Sequence, residues 1–140
     1  MEDEIYDRIV ELCEEGDELV EEDCYPEAII RYEAALELVP NPKYIWEAST
    51  WIYTALGDVY FLQSQFQEAL NQFQEALKCP DAIGNPFIQL RIGQCFFELE
   101  DIMKAREFLL KAYMLDGTEV FEDEEEKYFI CIHPMKQEEK

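Results

Sequence analysis

Basic residues are scarce: eleven Lys and Arg stand against 33 Asp and Glu in 140 residues, a formal net charge of −22. A polyanionic partner would have to overcome strong repulsion, so neither nucleic acid nor an anionic membrane is expected. There is one histidine, His133, and five glycines that never cluster. The chain therefore lacks a Gly-rich phosphate loop, a His-bearing metal set and the Asp-x-Asp-x-Asp-Gly run of a calcium loop. Cys131 and His133 have no indicated partners for nucleophilic chemistry, and the expectation is a non-enzyme with no cofactor and no metal. The five cysteines (Cys13, Cys24, Cys79, Cys95, Cys131) are odd in number and form no Cys-x-x-Cys pair, which suits reduced thiols in a cytoplasmic protein. No uncharged run approaches the roughly 18 residues of a membrane span, and the acidic start Met1-Glu2-Asp3-Glu4 lacks the basic flank of a secretory signal.

Apolar mass is plentiful. The 49% hydrophobic share, with nine Phe, eight Tyr and two Trp, is too high for a chain held open by its charge and fits one core of modest size. Charge is concentrated at the ends: residues 1–24 carry a net −11, residues 25–115 a net −5 and residues 116–140 a net −6. The run Glu122–Glu126 taken alone reads as a solvated turn.

The chain repeats itself. Gly16, Ala28 and Ala35 recur as Gly57, Ala69 and Ala76 and again as Gly93, Ala105 and Ala112, with spacings of 12 and 7 in all three sets. Each Gly is followed three residues on by a large side chain (Leu19, Tyr60, Phe96), and each Ala pair brackets another (Tyr32, Phe73, Leu109). Twelve residues from Gly to Ala span the end of one helix, a turn and the start of another, so each copy is a helical hairpin whose small residues let two backbones approach closely. Helices are predicted near 3–22, 26–39, 42–63, 66–79, 86–99 and 102–115. Asn41-Pro42 and Asn85-Pro86 read as N-caps followed by Pro in the first turn, Ser64 with Gln67 as a capping box, Asp101 as a cap and Gly117 as a helix end. After Gly117 the pattern breaks, and Phe121, Tyr128, Phe129 and Ile132 are expected to cover the last hairpin.

Leu56-Gly57-x-x-Tyr60 with Ala69, Phe73 and Ala76 resembles the tetratricopeptide repeat, as does Ile92-Gly93-x-x-Phe96 with Ala105, Leu109 and Ala112. In the first copy Glu15 stands where that family has an apolar residue, and the Gly-to-Gly steps of 41 and 36 exceed the family's period. The resemblance implies an all-α fold: three hairpins (3–39, 42–79, 86–115) stacked in a right-handed superhelix, closed by a capping segment at 118–133. Residues 1–133 would then form a single domain and 134–140 a flexible tail.

The resemblance further implies that the first helix of each hairpin lines an inner wall. Helical spacing places Trp51, Thr54, Asp58 and Phe61 there in the second hairpin, Phe87, Leu90, Gln94 and Phe97 in the third, and Val10, Cys13, Asp17 and Val20 in the first, with Leu62, Glu21 and Glu98 beside them. Large apolar anchors among carboxylates suit a basic, partly apolar protein surface or peptide. Members of the family that grip a chaperone's C-terminal carboxylate use Lys, Arg and Asn on this wall. Here Arg91 is the one nearby cation, so such a clamp is not expected. The third copy and the segment after it, from Gly84-Asn85-Pro86-Phe87 through Phe121-Glu122-Asp123-Glu124 and Lys127-Tyr128-Phe129, resemble more loosely short bacterial repeat proteins encoded beside polymorphic toxins. That resemblance implies an acidic immunity protein that binds and neutralises a basic toxin domain. The alternative is a general scaffold or chaperone-like adaptor that holds a peptide of a partner protein. The oligomeric state is left open.

Overall fold

A computed structural model of the chain describes residues 1–133; the stretch expected to be a tail, 134–140, lies outside the described residues. The elements are α1 (Asp3–Glu21), α2 (Tyr25–Leu38), a 3-10 turn (Lys43–Ile45), α3 (Glu47–Leu62), α4 (Phe66–Ala76), α5 (Pro86–Glu98), α6 (Ile102–Asp116), a second 3-10 turn (Gly117–Phe121) and α7 (Glu126–Ile132). No strand occurs among the described residues, and no helix is long and apolar enough to cross a membrane. The helices pair as α1 with α2, α3 with α4 and α5 with α6. Two compact units result: Met1–Ala82 holds the first two hairpins, and the unit beginning at Ile83 holds the third with the C-terminal elements.

The repeated Gly has a direct steric reason. A methyl group at Gly16 would lie 2.7 Å from Tyr32 Cε1, one at Gly57 2.8 Å from the Phe73 ring, and one at Gly93 2.7 Å from Leu109 Cγ and 2.9 Å from the Leu109 backbone nitrogen. The large residue between each Ala pair therefore lies on the bare backbone of the Gly, and Ala28, Ala35, Ala69, Ala76, Ala105 and Ala112 are all buried around it.

The hairpin turns repeat as well. Asp23, Ser64 and Glu100, each seven residues after its Gly, have φ of 61°, 60° and 70°. In each turn the next N–H returns to the carbonyl five residues back: Cys24 to Leu19 at 2.8 Å, Gln65 to Tyr60 at 2.9 Å and Asp101 to Phe96 at 2.9 Å. The preceding N–H closes the inner bond, Asp23 to Val20, Ser64 to Phe61 and Glu100 to Phe97. This is the Schellman closure, which satisfies carbonyls that a helix end would otherwise leave unpaired. Ser64 is thus the left-handed turn residue and not the cap of a capping box; α4 begins at Phe66 with no side-chain cap.

α3 also begins later than its sequence suggests. Lys43 Nζ donates to the carbonyls of Leu36 (2.9 Å) and Val39 (2.7 Å), and Trp46 Nε1 donates to the carbonyl of Pro40 at 3.0 Å. These bonds tie residues 43–46 back to the end of α2, where a cation also meets the negative end of the helix, so Pro42 stands outside α3. At the other Asn-Pro pair the cap forms as expected: Asn85 Oδ1 accepts from the N–H groups of Phe87 and Ile88. Asp101 caps α6 through Lys104 N–H, and Gly117, with φ of 69°, ends it.

Substitutions at these crossings and turns should change stability in opposite directions. Gly93→Ala and Gly57→Ala should each lower the unfolding free energy by about 1–2 kcal/mol, because overpacking against a buried neighbour outweighs the gain in helix propensity. Gly84→Ala, where no atom lies within 4 Å, should stay within about 0.5 kcal/mol of the parent. Glu100→Gly should raise stability by about 0.5–1 kcal/mol by relieving a left-handed residue that carries a Cβ. Urea unfolding monitored by circular dichroism measures all four.

Candidate functional site

In the first unit, α1 and α3 lie side by side, and two clefts open along the face they share. One, of about 270 Å³, is lined by Asp17, Val20, Glu21, Tyr32, Ala55, Asp58 and Val59. The other, of about 370 Å³, is lined by Met1, Tyr6, Trp46, Glu47, Ala48 and Trp51. Seven residues of helix separate Trp51 from Asp58, about 10 Å at 1.5 Å per residue. The helix pair is therefore aromatic at its N-terminal end and acidic at its C-terminal end.

Asp17 and Glu21 are exposed and Asp58 is half-buried. Asp17 Oδ1 accepts a hydrogen bond from Tyr32 Oη at 2.5 Å, which couples the acidic cleft to the Tyr32 ring on Gly16. Burial, and then that hydrogen bond, push the Tyr32 phenol well above its ordinary value, so it stays a donor and orients the carboxylate. Cys13, one turn before Asp17, is pushed up to about 11 by burial and by the charges of Asp17 and Glu14, which leaves an unreactive thiol. The carboxylates sit near the ends of α1 and α3, where the peptide dipoles add negative potential of their own. Val20 packs against the core while lining the cleft.

The remaining expected residues of this unit take several positions. Trp51 is 43% exposed and meets Tyr6 edge to face, with ring centroids 6.2 Å apart. Thr54 is half-buried, Phe61 is half-buried and packs edge to face on Phe66 at 5.4 Å, and Leu62 is exposed in the last turn of α3. Tyr6, Trp46 and Glu47 were not among the expected residues. Extending the stripe Val10, Cys13, Asp17, Val20 back by one turn reaches Tyr6, and Glu47 lies one turn before Trp51.

The second unit corrects an expectation. Leu90 is 1% exposed and Gln94 fully buried, so neither lies open on a wall. The chain's own C-terminal segment occupies that face of α5. Gln94 Nε2 donates to Glu124 Oε1 at 2.7 Å, and Arg91 Nη1 donates to both Gln94 Oε1 (2.7 Å) and Glu124 Oε1 (3.0 Å). Tyr128 Oη donates to Glu98 Oε2 at 2.5 Å, Lys127 Nζ pairs with the same oxygen at 2.8 Å, and the Tyr128 ring meets Phe97 edge to face at 5.3 Å. Phe87 is half-buried beneath the Arg91 guanidinium, 4.7 Å from its ring centroid. The expected cover, Phe121, Tyr128, Phe129 and Ile132, does pack on α6 and α5. Sequence reasoning missed the area it occupies, and also that Glu124 is an acceptor under the cover and not a solvated charge. The cause is a break in the repeat: among the described residues α6 is followed by a 3-10 turn and α7, and this segment buries the apolar surface of α5 and α6 and also engages Arg91 and Gln94.

Residues 19–81 match the family model described as tetratricopeptide repeat. No curated protein matches the sequence. Among solved structures the chain is similar to the type III secretion chaperone SycD of Yersinia enterocolitica in complex with a peptide of the translocator YopD, with a TM-score of 0.74, 15% sequence identity and 96% of each chain covered. At that identity the likeness is one of fold: an all-helical repeat protein.

Glu98 supplies a test of the C-terminal cover. Burial alone would raise its pKa, but the hydrogen bonds from Lys127 and Tyr128 together outweigh that and hold it below the ordinary 4.5. A carboxylate with a lowered folded-state pKa stabilises fully above its unfolded value and loses that contribution as the pH falls through the lower one. The NMR signals of α7 should therefore lose dispersion on acidification below pH 4.5. Glu98→Gln should weaken α7 packing already at pH 7 and flatten that acid dependence.

Proposed function

We propose that residues 1–133 act as a single non-enzymatic domain that holds a segment of a partner protein, in the manner of a chaperone or adaptor. The observation that carries this reading is the open acidic cleft between α1 and α3, where Val20, Ala55 and Val59 offer apolar contact beneath Asp17, Glu21 and Asp58. Carboxylates around an apolar floor suit a segment in which Lys or Arg alternates with aliphatic residues. The likeness to a chaperone solved with a peptide of another protein supports the same reading. Leu62 extends the apolar surface of α3; in the second unit Phe87, Phe97 and Glu98 would touch a partner only where the C-terminal segment leaves them accessible.

The net charge of −22 supports a second reading, an immunity protein that binds and blocks a basic toxin domain, because charge of this size speeds encounter with a cationic surface. The peptide-bearing chaperone favours the first reading over the second.

Selection from a random 12-residue peptide display library, followed by calorimetry on the enriched peptides, tests the proposal. Enrichment in basic residues flanked by aliphatic ones is expected, and Glu21→Lys should weaken binding three- to tenfold, about 0.7–1.4 kcal/mol. Absence of enrichment, or affinity indifferent to Glu21→Lys at low salt, would remove the acidic cleft as the site. A native partner that is a basic enzyme, and whose turnover stops at one equivalent of this chain, would decide for the immunity reading.

A further inference from the structure

We propose that the aromatic cleft at the N-terminal ends of α1 and α3 is a receptor for one arginine side chain of a partner protein. The inference deepens the reading above and rests on it only in taking the occupant to be part of a protein. The cleft is lined by Met1, Tyr6, Trp46, Glu47, Ala48 and Trp51 and encloses about 370 Å³, room for a guanidinium together with its aliphatic stem.

One of its rings is held in place and two are largely exposed. Trp46 is fixed by the 3.0 Å bond from its indole N–H to the carbonyl of Pro40, so the ring needs no ordering when a ligand arrives. Tyr6 and Trp51 meet at an interplanar angle of 68°. In such a contact one ring offers its edge, and both of that ring's faces stay clear of its partner. Tyr6 is 41% exposed and Trp51 43%.

Elsewhere the chain covers aromatic faces with its own cations: Lys78 lies over Tyr44, Lys111 over Phe108 at 4.4 Å, and Lys127 over Phe97 and Tyr128. Among the described residues no Lys or Arg side chain takes that place over Tyr6, Trp46 or Trp51. The surrounding charge selects for one. Glu47 lines the cleft and Asp3 and Glu4 stand in the first turn of α1, three carboxylates that outweigh the Met1 ammonium and the positive ends of the two helices, within a stretch, residues 1–24, of net −11. An aliphatic occupant would bury part of Glu47 without pairing it, whereas a cation over an aromatic face is favoured and is favoured more as water leaves. Arginine fits better than lysine because the guanidinium is planar, weakly hydrated and stacks on rings while its edge N–H groups stay free to reach a carboxylate such as Glu47.

Both tryptophans of the chain line this one cleft, so their indole N–H signals in NMR spectra report on it directly. The full chain is titrated at 0.15 M salt with N-acetyl-arginine amide, with its uncharged isostere N-acetyl-citrulline amide and with N-acetyl-leucine amide. The expected result is a saturable shift of the Trp51 signal by the arginine amide in the millimolar range, with affinity at least fivefold above that of the other two. Tyr6→Leu and Trp51→Leu should each weaken it at least fivefold, and Trp51→Phe should retain part of it. Leucine amide binding as tightly as arginine amide would make the cleft an apolar anchor site and overturn the proposal. So would arginine binding that both leucine variants leave unchanged. Should Trp51→Leu fail to fold, the arginine-to-citrulline ratio and Tyr6→Leu decide alone. Glu21→Lys separates the two readings: it weakens the display-selected peptides without touching the arginine amide, so either can fail while the other stands.

Discussion

The contact on which the structure depends is a bare glycine backbone under a large side chain. It occurs three times, Gly16 under Tyr32, Gly57 under Phe73 and Gly93 under Leu109, and each time there is no room for even one methyl group. Close backbone approach increases dispersion contact along the whole hairpin, and this offsets the roughly 1 kcal/mol that glycine costs inside a helix. The three occupants differ in chemistry. Phe73 and Leu109 end in hydrocarbon, but Tyr32 carries a hydroxyl through the packing layer to Asp17. In the first hairpin alone, the residue that locks the fold also orients a carboxylate in an open cleft.

The segment that follows α6 breaks the repeat and serves as an internal cover. The face of α5 that resembled a binding wall in sequence is covered: Leu90 lies in the core with Phe121 and Tyr128, Gln94 and Arg91 are engaged by Glu124, and Glu98 by Tyr128 and Lys127. Along the face that α1 and α3 share within the first unit, clefts remain. Two stretches of similar sequence pattern thus take opposite roles, one as the seat of an internal cover and the other as accessible surface.

How far the sequence could be read depends on what each feature requires of a side chain. The hairpin crossings were legible because close approach demands Gly and Ala, and only small residues meet that demand. The turns were not, since Asp23, Ser64 and Glu100 share a left-handed backbone but no side-chain chemistry. The start of α3 was misread because Asn41-Pro42 has the pattern of a cap, while Lys43 and Trp46, whose bonds run back to the end of α2, carry no local signal of it. Leu90 and Gln94 sit at the right helical spacing for an inner stripe, but spacing gives direction and not cover. The acidic cleft was legible in Asp17, Val20, Glu21 and Asp58, and the aromatic cleft only in Trp51, because Trp46 arrives there from the linker and not from a helix face.

The negative charge has a further structural consequence. The C-terminal ends of helices prefer cations, each worth about 0.3–1 kcal/mol, yet among the described residues no α-helix carries a basic residue in its last turn. Lys43 supplies the end of α2 from outside the helix. At the end of α1 the sequence places Glu21 and Glu22 instead, and Asp17 and Asp58 lie close by in the same cleft. The end of α1 is thereby left without the favourable charge that Lys43 brings to α2, and the cleft beside it carries the negative potential of the helix ends as well as that of its carboxylates.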